Sequence, residues 1–329
     1  MKNNVLKINE QKEIDKITVS IRDSLRHKLN RRGLVIAISG GVDSAVCAAL
    51  CVEALGKNKV FGLLMPETDS SSASVTLGKK LADQLGIKYL IEDIAPTLDA
   101  IGCYKWRDDA IRSIFPDYND QWKSKITISG GQVGKKNHFM VVVQTPEGEI
   151  KKERMALKAY LQIIAATNYK QRIRKTVEFF HADRLNYAVT GTPNRLEYDQ
   201  GFFVKNGDGS ADIKPIAHLY KTQVYALAKY LKLPAEICAA EPTTDTYSMP
   251  QGQDEFYFAL SYDKMDLAMW SLNHNIPASE LAELLGVHEE QAQFVYNDIL
   301  SKRKTTRYQH TRPILVESVD EVSQIGKLI

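Results

Sequence analysis

Residues 33–44 read GLVIAISGGVDS, and the fold depends on how this stretch is divided. Gly33–Ile38 is short, apolar and rich in β-branched residues, the composition of a buried strand. Ser44–Leu55, SAVCAALCVEAL, is apolar and rich in helix formers, which predicts a buried helix. The polar turn between them then places backbone N–H groups at a helix N-terminus, where an anion binds. Gly40 and Gly41 permit close approach or unusual dihedrals. Asp43 would repel a bare phosphate unless a divalent cation stood between them. The plainer alternative is an ordinary strand–helix turn with Asp43 as a helix cap.

Working outward, the same alternation repeats. Strands are predicted near 34–38, 60–65, 88–94 and 187–190. KVFGLLM (59–65) ends at Pro66, and KYLIEDI (88–94) follows a serine-capped helix over 70–85 that stops at Gly86. Strands spaced by helices predict βαβ units and a doubly wound parallel sheet of the α/β class. Ile14, Ile17, Ile21 and Leu25 mark an amphipathic helix over 11–30. The pattern breaks over 102–158, which reads as an insertion containing one clear strand, HFMVVVQT (138–145). Within it, GGQVGKK (130–136) lacks the spacing of a phosphate loop and reads as a hairpin turn or exposed loop. Helices are expected over 159–180, 219–231, 262–273, 279–285 and 288–301. Loops are expected over 199–212, glycine- and aspartate-rich and mobile, and over 241–258.

The 329 residues suffice for one large domain with an insertion. Forty-three basic against 40 acidic residues leave a net charge of +3, which gives no reason to expect nucleic acid or a membrane as partner. No apolar stretch is long enough for a signal peptide or a membrane span. Cys47, Cys51, Cys103 and Cys238 form no CxxC pair. They read as reduced core residues of a cytoplasmic protein, not as a zinc site.

Ligands of open parallel sheets gather beyond the carboxyl ends of the strands. Two polar clusters fall there: Ser39–Ser44 after the first strand and Gly191–Glu197, GTPNRLE, after the fourth. Asp43 and Glu197 facing each other would supply an oxygen shell for Mg²⁺. Glu197 is otherwise a helix cap or a surface residue. Two carboxylates, an anion loop and scattered lysines favour phosphoryl or nucleotidyl chemistry over hydride transfer, and there is no GxGxxG.

These motifs resemble those of the ammonia-dependent NAD synthetases, a branch of the N-type ATP pyrophosphatases. The superfamily loop SGGxDS is intact at Ser39–Ser44. By itself it would equally fit GMP synthetase, asparagine synthetase or tRNA-modifying enzymes. The narrower likeness is GTPNRLEYDQGFFVKNGDGSADIKPIAHLYKTQV (191–224), with EPTTD (241–245) and the NxKxRxR helix carrying Asn168, Lys170, Arg172 and Arg174. The resemblance implies an adenine nucleotide alpha hydrolase-like fold spanning 1–329, with the insertion at 102–158 and a C-terminal helical region over 262–329. It implies ATP- and Mg²⁺-dependent amidation of deamido-NAD with ammonia, through an acyl-adenylate.

It also implies roles. Ser39, Gly40, Gly41, Asp43 and Ser44 would cradle the ATP phosphates, and Thr192, Lys221 and Thr243 would contact ATP. Asp43 and Glu197 would hold Mg²⁺, and Asp43 and Lys221 would serve catalysis. Arg172, Lys205 and Asp212 would hold deamido-NAD. On residue type alone, Asp212 reads as a loop cap, and Lys205 and Lys221 as solvated lysines. Family resemblance further implies a homodimer, and the loops 199–212 and 244–258 are expected to close over the substrates. No glutaminase signature is visible, and the roughly 33 residues before the first strand leave no room for one. Free ammonia is the expected nitrogen donor, unless a separate subunit delivers it. The sequence departs from the family at the long 102–158 segment and near the C-terminus. There SKRK (301–304) and YQHTRP (308–313) stand where a His-Lys pair is usual. Two alternatives therefore stay open: amidation of another small carboxylate, and a non-catalytic nucleotide-binding protein on this fold. The second would not be expected to keep Asp43, Glu197, Lys205 and Lys221.

Overall fold

The structure, a computed structural model, describes residues 5–129, 138–240, 246–249 and 260–319. Four parallel strands form the central sheet: β1 (Leu34–Ala37), β2 (Val60–Leu64), β3 (Lys88–Ile91) and β7 (Ala188–Thr190). Their order is β3-β2-β1-β7, with Ile36 paired to Gly62 on one side and to Thr190 on the other. The chain winds away from β1 in one direction through β2 and β3, then returns to its other side as β7. That reversal opens a crevice at the carboxyl ends of β1 and β7.

Helices cover both faces, as a doubly wound sheet requires. On one face lie α1 (Glu10–Asp23), α2 (Val42–Leu55), α3 (Ser72–Leu85) and α8 (Lys221–Tyr230), packed on Leu34 and Ile36. α2 is buried nearly all round, so it has no polar stripe. Each large side chain it buries, such as Leu50, contributes about 1.5–3 kcal/mol. Asn9 caps α1 by accepting the Lys12 N–H at 2.9 Å. The predicted helix over 11–30 changes at Ser24 into a π-helical turn, Ser24–Leu29, which keeps Leu25 buried. On the opposite face, α4 (Ala95–Ala100), α5 (Cys103–Arg112) and α6 (Leu157–Leu185) pack against Val35, Leu63 and Val189. β3 stops at Ile91, short of the expected 94, and Asp93 Oδ1 accepts the Ala95 N–H at 2.9 Å to start α4.

Between α5 and α6 lies a second sheet. β4 (Lys123–Ser129), β5 (His138–Gln144) and β6 (Ile150–Arg154) are antiparallel in that order. Ile126, Val141 and Val143 close a core with Ile111, Met155 and Ile163. The expected strand over 138–145 is β5, and residues 130–136 lie outside the described residues.

Beyond β7 come α7 (Arg195–Gln200), α8 and α9 (Ala235–Ala239), then four helices: α10 (Tyr262–Asn273), α11 (Ala278–Leu285), α12 (Glu289–Thr305) and α13 (Arg307–His310). α10 to α12 enclose their own core of Met265, Met269, Leu281, Val295 and Ile299, which reaches Leu196 of α7 and Tyr220 before α8. Among the described residues, no helix is long and apolar enough to cross a membrane. All four cysteines are free; Cys47, Cys51 and Cys103 are buried, and burial pushes the Cys51 thiol up to about 12.

Candidate active site

The turn after β1 is held by its own serines. The Ser39 and Ser44 hydroxyls lie 3.1 Å apart, Ser44 donates to the Gly41 carbonyl at 2.9 Å, and the Gly41 N–H donates to Ser39 Oγ at 3.3 Å. Gly40 is in the left-handed region at φ +83°, and a Cβ there would sit 2.7 Å from the Ser74 carbonyl oxygen. Both facts demand glycine. Gly41 precedes α2, so the first N–H groups of that helix, which have no partner within it, open at this turn.

Across the crevice, Asn194 organises the second cluster. Its Oδ1 accepts the N–H groups of Leu196 and Glu197 at 2.9 and 3.2 Å, capping α7. Glu197 Oε2 returns the bond to the Asn194 N–H at 3.0 Å, completing a capping box. Asn194 Nδ2 also reaches Asp43 Oδ1 at 3.3 Å. One buried residue thus holds both carboxylates that the sequence singled out, Asp43 through its side-chain amide and Glu197 through its backbone N–H, and the Glu197 carboxylate closes the cap of α7.

Lys221 completes the group. It is 1% exposed, and its ammonium forms an ion pair with Asp43 Oδ2. The solvated lysine that residue type alone suggests is therefore not what the fold builds. Asp266 of α10 explains its placement: the Asp266 carboxylate accepts the Lys221 N–H at 3.2 Å and the Thr222 N–H at 2.7 Å. An acceptor from a distant helix thereby satisfies the start of α8. Burial raises the Asp266 carboxyl to about 6.

The electrostatics are uneven. Burial, and then the neighbouring Asp43, push the Glu197 carboxyl up to about 8. Burial alone would lower the Lys221 ammonium, but the attraction of Asp43 and Glu197 outweighs it and holds it above its ordinary value. Lys221 pairs with Asp43, while Glu197 keeps its proton up to about pH 8. Two hard carboxyl oxygen donors, beside a helix N-terminus that favours anions, suit a divalent cation bound together with phosphates. Among the described residues, no group of three or more His, Cys, Asp or Glu comes together to hold a metal.

Thr192 lies in the turn between β7 and α7, beside Gly191, whose N–H donates to the Ile213 carbonyl at 2.8 Å. Thr243 lies outside the described residues. Arg172 and Lys205 are brought together, with Arg172 Nε donating to the Lys205 carbonyl at 3.3 Å. The Lys205 ammonium caps the C-terminal turn, donating to the carbonyls of Tyr308 and Thr311 at 3.1 and 3.0 Å. Asp212 Oδ2 accepts the Val189 N–H at 2.8 Å, and Ile213 bridges to Thr190. Asp212 thus closes the free edge of β7, the cap role that residue type alone suggested.

The run 199–212 is tied down in this structure. Asp208 Oδ1 accepts the Val204 N–H at 2.8 Å, and Lys214 Nζ donates to the Gly209 carbonyl at 2.6 Å. Of the second expected closing loop, 244–258, only 246–249 is described. Near the C-terminus, Arg303 pairs with Asp199 through two bonds of 2.6 and 2.7 Å, and His310 packs edge-on against Tyr198 and Phe203.

Reading from the sequence missed Asn194 and Asp266. Asn194 stands in the quoted GTPNRLE run, at the N-cap position three residues before Glu197, and that spacing was the available signal. Asp266 left only a faint one, an acid on the apolar Met265–Met269 face of α10.

With this geometry in view, the comparisons are specific. The family model described as NAD synthase matches residues 13–126 and 132–313. The NH(3)-dependent NAD(+) synthetase of Mesorhizobium japonicum is 52% identical over 322 residues, covering 96% of this chain and 100% of that one. The enzyme of the same name from Rhizobium meliloti is 54% identical over 318 residues, covering 96% and 95%. Among solved structures, the NH3-dependent NAD synthetase of Campylobacter jejuni superimposes with a TM-score of 0.61 at 23% identity, covering 94% of this chain and 100% of that one. The NMN synthetase of Francisella tularensis does so at 0.63 and 20%, covering 95% and 100%. The last two show likeness of fold. A parallel-sheet nucleotide fold with an SGGxDS anion loop defines the class, and this chain belongs to the NAD synthase family.

Proposed function

We infer that the protein is an ammonia-dependent NAD synthetase, converting deamido-NAD to NAD at the expense of ATP. The observation that carries this reading is the meeting of the Ser39–Ser44 loop with Asp43, Glu197 and Lys221 at the β1/β7 crevice, in a chain of this family. A carboxylate is a poor electrophile at neutral pH and must be activated. Its oxygen attacks the α-phosphorus of ATP, the bond to the pyrophosphate oxygen breaks, and an acyl-adenylate results. Ammonia then adds to the carbonyl, AMP departs with the oxygen, and a proton is released.

The chain's own residues do the electrostatic work. N–H groups of the Ser39–Ser44 turn bind phosphate oxygens, and the Lys221 ammonium offsets charge gathering on the departing pyrophosphate. Asp43 and Glu197 would hold Mg²⁺, which neutralises phosphate charge when bound. Asn194 keeps both carboxylates in register. Ser39, Gly40, Gly41, Ser44, Thr192 and Thr243 are assigned to ATP, and Arg172, Lys205 and Asp212 to the dinucleotide. The chain functions as one ATP pyrophosphatase unit over 1–329, interrupted by the 102–158 insertion and followed by the helical region 262–329. A homodimer working in the cytoplasm is part of the same reading.

The test is to incubate the protein with ATP, Mg²⁺, ammonium and a panel of carboxylates that includes deamido-NAD and nicotinate mononucleotide, and to follow AMP and pyrophosphate. AMP formed only with deamido-NAD is the expected result. ADP as product would refute the adenylation. AMP formed with another carboxylate and not with deamido-NAD would overturn the substrate.

A further inference from the structure

A second buried charge cluster lies beyond the carboxyl end of β2, and the reaction described above does not use it. The Lys170 ammonium of α6 is fully buried and spends its three donors on Glu67 Oε1 at 3.0 Å, Asp69 Oδ2 at 2.5 Å and the Thr246 carbonyl at 2.8 Å. Arg107 of α5 reaches the same Asp69 oxygen at 2.5 Å, and the Tyr104 hydroxyl donates to Glu67 Oε2 at 2.9 Å. One turn further along α6, Arg174 donates to the Met65 carbonyl at 3.3 Å.

The inserted sheet grips the same place from the other side. β4 is an edge strand, and Ser124 turns its backbone groups outward. Its N–H donates to Ser248 Oγ at 2.9 Å, and its carbonyl accepts the Met249 N–H at 3.2 Å. Between those bonds and Thr246, Tyr247 is buried among Ile126, Val141, Val143 and Ile163.

The path continues to the phosphate loop. The chain from Glu67 and Asp69 runs directly into α3, capped by Ser71, and there the Ser74 carbonyl occupies the space a Cβ on Gly40 would need. Inserted sheet, Lys170 cluster, segment 67–74 and Gly40 therefore form one continuous line of contacts.

We propose that Lys170 is a positioning residue of the nucleotide site, through which the 102–158 module fixes segment 67–74 against the phosphate loop. The proposal rests on the reading that Ser39–Ser44 binds ATP phosphates. Its physical ground is cost: a buried ion network gives the fold little that apolar packing would not, but it fixes several segments in one geometry. A displacement of about 1 Å at a phosphate cradle is enough to lose much of its binding.

The test uses the full chain and two variants. Lys170→Met with Glu67→Gln removes a charge pair together and leaves Asp69 to Arg107. Ser248→Ala removes the hydroxyl that accepts the Ser124 N–H and donates to the Ser124 carbonyl at 3.5 Å, and leaves the Met249 N–H bond in place. The dissociation constant of an ATP analogue with a methylene between the α and β phosphates is measured by calorimetry with Mg²⁺. Hydrogen exchange is followed over 39–44, 67–74 and 246–249.

For the double variant the expected result is analogue binding weaker by about tenfold or more, and KM for ATP raised far more than kcat is lowered. Its thermal midpoint should stay close to that of the unaltered protein. Unchanged binding, or binding lost only in step with the thermal midpoint, overturns the proposal. If the double variant does not fold, Ser248→Ala decides. Faster exchange at both 246–249 and 67–74 supports the coupling, and a change confined to 246–249 overturns it. An unaltered protein that binds the analogue but does not amidate deamido-NAD would sink the assigned reaction and leave this proposal standing.

Discussion

The two buried charge clusters at the carboxyl end of the parallel sheet hold their carboxylates in different ways. Around Lys170, every carboxylate sits in a direct ion pair: Glu67 and Asp69 share Lys170, and Arg107 bridges Asp69 and Asp108. Around Lys221, Asp43 takes the ion pair, and burial with the neighbouring Asp43 raises the Glu197 carboxyl to about 8. Burying charge is tolerable when it is paired directly, and strongly shifted carboxyl groups cluster at functional sites. The proposed function takes the first cluster as architecture and the second as the working site.

The sharpest way to break this contrast is Asp43→Asn. If Asp43 completes a metal and phosphate site, turnover measured as AMP release should fall by about 10³-fold, while helical circular dichroism is unchanged. Retention of activity within about tenfold would reduce Asp43 to a helix cap and make the two clusters alike.

A smaller effect separates them by pH. The Glu197 carboxyl titrates near 8 in the folded chain against 4.5 for an unperturbed one, so the folded state keeps a proton that the unfolded state has released. Stability should then fall as pH rises between those values, by at most about 1.4 kcal/mol per pH unit for this one proton. Asp266, raised to about 6, adds a slope of the same sign below that pH. Denaturant unfolding from pH 5 to 8 checks this. Glu197→Gln should flatten the profile, as should saturating Mg²⁺ with ATP, whereas Lys170→Met with Glu67→Gln should leave it in place. An equal slope in Glu197→Gln would show that Glu197 is not the group that holds the proton.

The smallest expected change is at Asp266→Asn. It keeps the side chain's size and removes the charge that receives the N–H groups of Lys221 and Thr222. A stability loss of about 1 kcal/mol is expected by urea unfolding, together with a raised KM for ATP. Lost stability with unaltered kinetics would place Asp266 in the architecture alone.

How much of this was legible beforehand differs between the same regions. β1, β2 and β7 announced themselves because strands buried on both faces must be apolar throughout, as LVIA at 34–37 is. Inside the insertion only β5, with Val141–Val143, gave that signal. β4 and β6, KSKITIS and IKKER, are lysine-rich because one face of an antiparallel sheet meets water. Asp43 and Glu197 were paired from the logic of the crevice. The Lys170 cluster was not, because its carboxylates lie 101 and 103 residues away in the chain and no local period links them. Asp266 was hidden for the same reason, acting on backbone groups 44 and 45 residues distant.

The pairing of Leu34 with Ala188 has a consequence for how the molecule is made. About 150 residues separate the two walls of the crevice, so a ribosome adding about 5–20 residues per second needs on the order of ten to thirty seconds between them. During that interval β1 can pair with β2 while its other edge waits, open to any passing strand. The three-stranded sheet of the insertion has only local pairings and is free to form in the meantime. In the nascent chain, the crevice between β1 and β7 is thus completed only after the inserted sheet has been made.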